Sequence, residues 1–414
     1  MRSPKTGSSS LGPSGAGLRL AILFLAVFVD LVGFGIVLPL LPFYADRFGA
    51  SGVVIGFLVL SYSAAQLLLA PVWGRLSDRF GRRPILIIGL VGSAISYVVF
   101  AYAGSVAVLL LSRVMAGVGG ANIPVAQAYI ADVTPPERRA ANMGLIGAAF
   151  GLGFIFGPAI GGLLAPVSTA APGLAAAALC AGNAVLAFFF LPESLTAEER
   201  ADRAQRRKPH VHPLKKLREA LGQPELQEVL LLSFLFTVAF SSMHPTFPLF
   251  AAERFGLEER EVGYLFAFLG LVSAIMQGGI VRLVAPRVGE VALIRSCSVF
   301  FVAGLLLIGL APSIPALLAG LTLLAVGFGG TLPSVVSLIS RFTPADLQGG
   351  SLGVGQSVGA LARICGPLIA GLAFDHLGVA WPYLVAAFVA IFAGLVSLQL
   401  RQPRAPERET VPQA

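Results

Sequence analysis

Twelve apolar runs follow one another along the chain, and they leave few possible folds. Crossing about 30 Å of hydrocarbon takes about 20 apolar residues in a helix, and a bilayer admits only helices or closed barrels. The chain is 56% hydrophobic and 12% charged, whereas soluble proteins are about a quarter charged. We therefore predict an all-α integral membrane protein with twelve transmembrane helices. The runs lie at 18–44, 53–73, 85–103, 105–131, 142–165, 173–191, 229–251, 262–281, 292–311, 315–340, 351–374 and 378–399.

The distribution of lysine and arginine predicts the orientation in the membrane. Of 29 basic residues, 24 lie in segments that share one side if the N-terminus is inside, and three lie in the opposite loops. Cytoplasmic loops are enriched in lysine and arginine, so we expect both termini in the cytoplasm. The net charge of +8 is then a property of these loops and indicates no nucleic-acid partner.

An internal repeat divides the chain into two halves. Residues 142–165 align without gaps on residues 351–374 at an offset of 209. Parallel repeats of this kind are one of the known transporter architectures, so we expect two pseudo-symmetric six-helix halves. The predicted organisation is a disordered cytoplasmic tail (1–17), the N-terminal half (18–191), a cytoplasmic linker (192–228), the C-terminal half (229–399) and a cytoplasmic tail (400–414).

A charged stretch from Gly74 to Pro84 separates the second and third runs. It holds four arginines and an aspartate, so it cannot lie in hydrocarbon. We predict a tight hairpin loop here, on the cytoplasmic side. The stretch reads Gly74-Arg-Leu-Ser-Asp78-Arg79-Phe-Gly81-Arg82-Arg83-Pro84.

This stretch resembles the Gly-x-x-x-Asp-Arg-x-Gly-Arg-Arg signature of the major facilitator superfamily at every defined position. The resemblance covers nearly the whole chain and implies the major facilitator fold. Residues 153–162 match the fifth-helix signature of the drug:proton antiporters, and residues 113–121 match their fourth-helix signature. Residues 30–42 look like the first helix of tetracycline exporters, but Ser96 stands where those proteins carry an acidic residue. We therefore expect a substrate other than tetracycline.

Two charged residues deep in the membrane are the first candidates for the mechanism. Asp30 lies near the middle of the first run, and Arg113 lies about 12 Å from the outer end of the fourth. In the family fold both helices line the central cavity, so we expect the two to pair. Asp30 would take up and release a proton, with Arg113 tuning its pKa. A static pair that only fixes helix packing is the alternative.

Further polar candidates lie in both halves. Arg363 could meet an anionic substrate group or pair with a backbone carbonyl or a lipid headgroup, and His244 could join a proton path or simply pack. Asn122 and Gln356 are candidate cavity residues. The three cysteines are expected to be packing residues, and the spacing of histidines and cysteines predicts no metal site.

Small residues in the fifth and eleventh runs are expected to form close helix contacts. Because the two motifs are repeats, we predict that they face each other across the boundary between the halves and form a seal; packing alone would also explain them. The residues are Gly153, Gly157, Pro158, Gly161 and Gly162, with Gly366, Pro367 and Gly371.

The resemblance also implies a cytoplasmic latch. Asp78 would lie at the start of the eleventh helix, around Gly350 to Gly353, and Asp132 would pair with Arg79, Arg82 or Arg83. Gly74 and Gly81 complete the latch, and a loop that only sets topology is the alternative. The second-half copy of the loop, Arg282 to Glu290, lacks the aspartate and appears as a degraded repeat.

The sequence favours a secondary active transporter that exports a hydrophobic or cationic small molecule in exchange for protons. It would act as a monomer in the bacterial inner membrane, with no cofactor beyond the proton gradient. The alternative is a metabolite symporter or uniporter of the same fold. An intramembrane enzyme would need a catalytic cluster, and a sensor would need a signalling domain; the sequence shows neither.

Overall fold

The computed structural model describes residues 13–196, 198, 200, 222, 224–343, 348–400 and 402. The side chains of 13–16, 136–141, 144, 147 and 348–352 lie outside this description. Most of the predicted linker and most of both predicted tails also lie outside it. The first helix begins at Pro13, within the segment that we expected to be a tail.

All regular structure in the described residues is helical. The helices are α1 (Pro13–Val37), α2 (Leu41–Asp46), α3 (Gly52–Phe80), α4 (Arg82–Ala101), α5 (Val106–Gly119), α6 (Ile123–Val133), α7 (Pro136–Leu164), α8 (Ala171–Phe190), α9 (Pro224–Ser241), α10 (Met243–Phe255), α11 (Glu259–Ile275), α12 (Val281–Val288), α13 (Glu290–Gly309), α14 (Ile314–Arg341), α15 (Gln348–Leu377) and α16 (Trp381–Ser397), with a π-helical turn at Met276–Ile280.

These helices account for all twelve predicted runs. Among the described residues, ten helical stretches are long and apolar enough to cross a membrane. Two shorter apolar helices, Ala148–Leu164 and Trp381–Ser397, cover the fifth and twelfth runs. The predicted all-α membrane architecture with twelve transmembrane helices is therefore confirmed.

Large apolar side chains cover the outer faces of the bundle. Leu68 is 73% exposed, Phe189 70% and Phe388 73%. In water such a surface would drive aggregation, but in a bilayer it meets lipid tails of the same polarity. The chain can therefore use small residues and polar groups for contacts between helices.

The chain packs as two compact units with the same internal helix pairings. Unit 1 comprises Met1–Phe48, Ser61–Lys208 and Glu259–Ala267, and unit 2 comprises the remainder. In unit 1, α1 packs on α7 and α8, and α4 packs on α5 and α8. In unit 2, the equivalent helices α9 and α13 repeat these pairings, α9 with α15 and α16, and α13 with α14 and α16.

Each unit also includes the first segment of one helix from the other half of the sequence. Unit 2 takes Gly49–Leu60, which contains the start of α3, and unit 1 takes Glu259–Ala267, the start of α11. The compact units therefore differ from the two halves of the sequence at two equivalent segments.

Candidate functional site

Asp30 faces two other helices of unit 1 from its place on α1. Cys180 Sγ on α8 lies 3.9 Å from Asp30 Oδ1, and the side chain of Ser93 on α4 interacts with the same carboxyl group. One turn farther along α1, a Cβ at Gly33 would lie 2.9 Å from Tyr97 Cε2, so the glycine makes room for that ring. The carboxyl group thus lies beside a thiol, a hydroxyl and a phenol ring.

Arg113 is buried nearby, but it is not paired with Asp30. Its Nε donates to Ser112 Oγ at 3.3 Å, and its guanidinium lies 5.0 Å from the centre of the Phe100 ring and 5.9 Å from that of Tyr97. The buried Nη2 atom forms no hydrogen bond with any residue in the described part of the chain. Tyr97 interacts electrostatically with both charged residues, and its ring lies against the guanidinium. The structure describes both residues, and the prediction that Asp30 pairs with Arg113 is therefore wrong.

The signature stretch is mostly helical rather than a hairpin loop. Residue Gly74 lies inside α3, which runs to Phe80, and α4 begins at Arg82. Gly81 alone separates them, with φ +105 and ψ 156, a conformation that favours glycine. A side chain here would also overlap the carboxylate of Glu193. The predicted loop was therefore too long. Charged residues cannot lie in hydrocarbon, but a helix that carries them can continue beyond the membrane.

Arg82 connects the parts of this stretch. The residue is 4% exposed. Its Nε lies 3.1 Å from Asp132 Oδ2 on α6, and its Nη2 lies 2.6 Å from Asp78 Oδ1. Its Nη1 donates to Ser77 Oγ at 2.5 Å. Of the three arginines proposed as partners of Asp132, the structure selects Arg82.

Two residues beyond the sixth run, both within the predicted cytoplasmic linker, complete the network. Glu193 Oε1 accepts from the backbone N of Arg82 at 2.9 Å, and Oε2 accepts from the backbone N of Arg83 at 3.2 Å. This carboxylate therefore binds the first two amides of α4, where the positive end of the helix favours it. Ser194 Oγ donates to Asp132 Oδ2 at 3.2 Å. The signal available in the sequence was an acid directly after an apolar run.

The second half contains an ion pair at the equivalent position, with the acidic and basic residues exchanged. Glu290, 208 residues after Arg82, begins α13 directly after Gly289, which has φ +82. Arg341, 209 residues after Asp132, lies in the last turn of α14. Arg341 Nη1 lies 2.7 Å from Glu290 Oε2. The second copy has lost the aspartate of the signature, yet it keeps an ion pair at the equivalent place with reversed polarity.

The small residues of the fifth run pack on helices of their own unit. A Cβ at Gly157 would lie 2.6 Å from Gly35 Cα, and one at Gly161 would lie 2.6 Å from Ile36 O, so this face meets α1. A Cβ at Gly153 would lie 2.8 Å from a side-chain atom of α1. Gly162 meets the start of α11, where its Cβ would lie 3.1 Å from a glycine Cα.

The eleventh run repeats this pattern in unit 2. A Cβ at Gly366 would lie 2.6 Å from Val238 O on α9, and one at Gly371 would lie 2.9 Å from Val53 Cα at the start of α3. The carbonyl of Pro367 lies against Gly56 in the same way that the carbonyl of Pro158 lies against α11. These contacts lie within each unit, and the predicted seal between the two motifs stays a prediction. A row of glycines predicts that another helix packs closely against this face, but it does not indicate which helix.

The remaining candidates have different surroundings. Asn122 is buried and donates to Leu86 O at 3.4 Å, so it packs between α6 and α4. Gln356 is exposed. Arg363 is half-buried and interacts electrostatically with the buried His244. The side chains at 350–352, which belong to the predicted latch, lie outside the described residues, and the contact of Asp78 there stays a prediction. Among the described residues, no cluster of histidine, cysteine and carboxylate side chains suits a metal ion.

Comparisons with known proteins give one consistent family. The sequence model of the Major Facilitator Superfamily matches residues 23–362 and 229–414. The class C tetracycline resistance protein of Escherichia coli is 32% identical, over 91% of this chain and 96% of its own length. Multidrug resistance protein 2 of Bacillus subtilis (strain 168) is 29% identical, over 89% and 92%.

Solved structures agree with this family. The crystal structure of the human organic anion transporter MFSD10 has a TM-score of 0.70 and 28% identity, and the match covers 94% of this chain and all of that one. A bacterial homologue of the lysosomal transporter Spinster has a TM-score of 0.75 at 15% identity, which shows the fold alone. These neighbours are transporters and not enzymes. The chain belongs to the major facilitator superfamily of membrane transporters, and it is similar to the drug:proton antiporters within it.

Proposed function

We propose that this chain is a proton-coupled exporter of small molecules that works by alternating access. The observation that carries the proposal is the position of Asp30. Other acidic residues that the structure describes in spanning stretches lie within about one turn of the end of their span. Asp30 lies deeper, and none of the described cationic side chains pairs with it; its neighbours are Ser93 and Cys180. Uncharged polar neighbours suit a carboxyl group that must exist in both protonation states.

The test is transport in proteoliposomes with an imposed pH gradient. The probes are ethidium, a hydrophobic cation, and carboxyfluorescein, an organic anion, with a pH-sensitive dye to follow protons. For Asp30→Asn we expect loss of gradient-driven transport by at least about tenfold, because the amide cannot carry the proton. Ser96→Ala is the matched control, since Ser96 Oγ donates only to the carbonyl of Ser93 at 2.7 Å on its own helix. Full gradient-driven transport by Asp30→Asn would refute the proposal.

The direction of proton movement separates this proposal from its alternative. An antiporter moves protons against the direction of the probe, whereas a metabolite symporter moves both together, and a uniporter moves no protons. The same dye measurement distinguishes the three.

The surroundings of Arg113 support organic anions as a second candidate class of substrate. Arg113 is 2% exposed, and no described residue forms a hydrogen bond with its Nη2. A buried cation without a counterion is costly, so an anionic substrate group would stabilise it. The name of the human structural neighbour, an organic anion transporter, supports the same class. Arg113→Gln should then abolish carboxyfluorescein transport and spare ethidium transport; equal loss of both would refute an anion-specific role.

We further propose that the protein works as a monomer in the bacterial plasma membrane, with both termini in the cytoplasm. The charge bias of the loops, 24 basic residues against three, supports this orientation. A reporter that is active only in the cytoplasm should be active when fused to either terminus, and activity of a periplasmic reporter at either terminus would contradict the topology.

A further inference from the structure

Asp375 connects two helices that are far apart in the sequence. It lies in the last turn of α15, and its Oδ1 accepts from the backbone N of Gly52 at 2.6 Å while its Oδ2 accepts from the backbone N of Val53 at 2.9 Å. Both amides belong to the first turn of α3. The first four amides of a helix have no partner within it, so Asp375 supplies what the helix lacks. Its negative charge also lies at the positive end of α3.

The helices beneath this contact cross at very short range. A Cβ at Gly52 would lie 3.1 Å from Gly371 O, and one at Gly371 would lie 2.9 Å from Val53 Cα. One turn deeper, Gly56 lies against the carbonyl of Pro367. Asp375 is therefore the polar end of a continuous crossing of α3 and α15, which involves only residues of unit 2.

The equivalent helix crossing in unit 1 has different polar contacts at its end. The start of α11 packs on Gly162, but the position 209 residues before Asp375 is Pro166, which has no acceptor side chain. There the first residue of α11, Glu259, pairs instead with Arg47. The two crossings therefore share their glycines and differ in their polar contacts.

We propose that Asp375 is a positioning residue that latches the second spanning helix to the eleventh. Its two hydrogen bonds hold the first turn of α3 on the last turn of α15, and the helices part when these bonds break. The link from this latch to the transport cycle rests on the proposed alternating access, whereas the latch itself can be tested without any substrate.

Hydrogen exchange of the purified full chain in lipid nanodiscs tests the two capped amides. With Asp375→Asn, exchange at Gly52 and Val53 should rise by about fivefold or more, the effect expected when a helix cap is lost. Exchange at residues 259–263, the equivalent start of α11, should not change, and it serves as an internal control. Asp46→Asn, at an exposed aspartate, is the matched variant and should leave both segments unchanged.

Thiol labelling tests whether the crossing itself opens. Cys180, Cys297 and Cys365 are first replaced by alanine, and Val53→Cys then reports on the crossing. Adding Asp375→Asn should raise its rate of labelling by a hydrophilic maleimide about fivefold. Arg260→Cys, at the equivalent position of α11, should label at the same rate with and without Asp375→Asn.

Increases in both experiments, confined to α3, support the latch. Increased exchange at the two amides with unchanged labelling would reduce Asp375 to a local cap and overturn the proposal. Unchanged exchange at Gly52 and Val53, or equal increases in α3 and α11, would also overturn it. Because neither readout needs a substrate, these outcomes are independent of whether ethidium or carboxyfluorescein is transported.

Discussion

At the scale of single residues, Arg82 is the side chain on which the signature stretch depends. A lysine could occupy its position, but it could not reach three acceptors in fixed directions, as the planar guanidinium does. The acceptors lie on α3 and on α6, so this one residue joins the ends of three helices. The backbone amide of the same residue binds Glu193.

Arg82→Gln should destabilise the protein by about 3 kcal/mol, because it removes the guanidinium that pairs with the Asp132 carboxylate, whose side chain is only 9% exposed. The measurement is the free energy of unfolding of the purified protein in mild detergent. Arg79→Gln is the control, since Arg79 is exposed and its guanidinium lies over the ring of Phe80; it should change stability by less than about 1 kcal/mol. Equal effects of the two variants would contradict the role of Arg82.

The role predicted for Asp78 cannot be tested by measuring stability alone. If it latches the start of the eleventh helix, Asp78→Asn should insert normally and lose transport. If the stretch only sets topology, transport by the variant will be unchanged. Membrane insertion is measured by reporter fusion and transport by the liposome assay, so the two functions are read separately.

At the scale of helices, the contact of α1 with α7 shows how small residues replace the hydrophobic effect in lipid. Lipid tails are as apolar as leucine side chains, so helices associate through close packing instead. Gly35 and Gly157 let the two backbones meet, and Pro158 lies at the same point. Asp30 lies five residues before Gly35 on the same helix.

Gly157→Ala should therefore destabilise the protein by about 1–3 kcal/mol, because the added methyl group would lie 2.6 Å from Gly35 Cα. Gly182→Ala is the matched control in α8, where no atom lies within 4 Å of the added group. It should be neutral or stabilising by up to about 1 kcal/mol, because alanine favours helices more than glycine does. Similar melting temperatures for the two variants would show that the crossing tolerates a side chain.

At the scale of the whole molecule, the two halves are copies that have diverged in charge. The ion pair of Arg82 with Asp132 in unit 1 has its counterpart in Glu290 with Arg341 in unit 2. Each pair joins the start of one spanning stretch to the last turn of the spanning stretch that follows it. Opposite polarity means that a basic residue of one pair would meet a basic residue of the other if equivalent helices exchanged places. Repulsion would then disfavour incorrect pairing of the two repeats.

Exchange of the charges within the second pair tests whether this ion pair stabilises unit 2 through charge. Arg341→Glu alone places two carboxylates together and should lower stability by about 1 kcal/mol, a modest value because Arg341 is 40% exposed. Combining it with Glu290→Arg restores attraction and should recover most of that loss. If the double variant is no more stable than Arg341→Glu, the pair contributes through something other than charge.

The sequence alone determined the spans, the repeat and the family, because these depend on features that are local in the chain. Twenty apolar residues predict a spanning helix whatever surrounds them, and the matches at a constant offset need no coordinates. The family resemblance likewise implied an arginine partner for Asp132, although the helical conformation of the signature stretch was missed. The candidate proton carrier, Asp30, could be selected because an acid within an apolar run is rare.

The tertiary structure decided which groups meet. Asp30 on α1 and Arg113 on α5 have opposite charges, yet the guanidinium lies over the ring of Tyr97 on α4 instead of pairing with the carboxylate. The glycine motifs pack on α1, α9 and the starts of α3 and α11 because helix approach depends on the facing surface, which the sequence of one helix does not contain. Asp375 binds two amides more than 300 residues away. Backbone amides carry no sequence signature, so only the folded arrangement could reveal this contact.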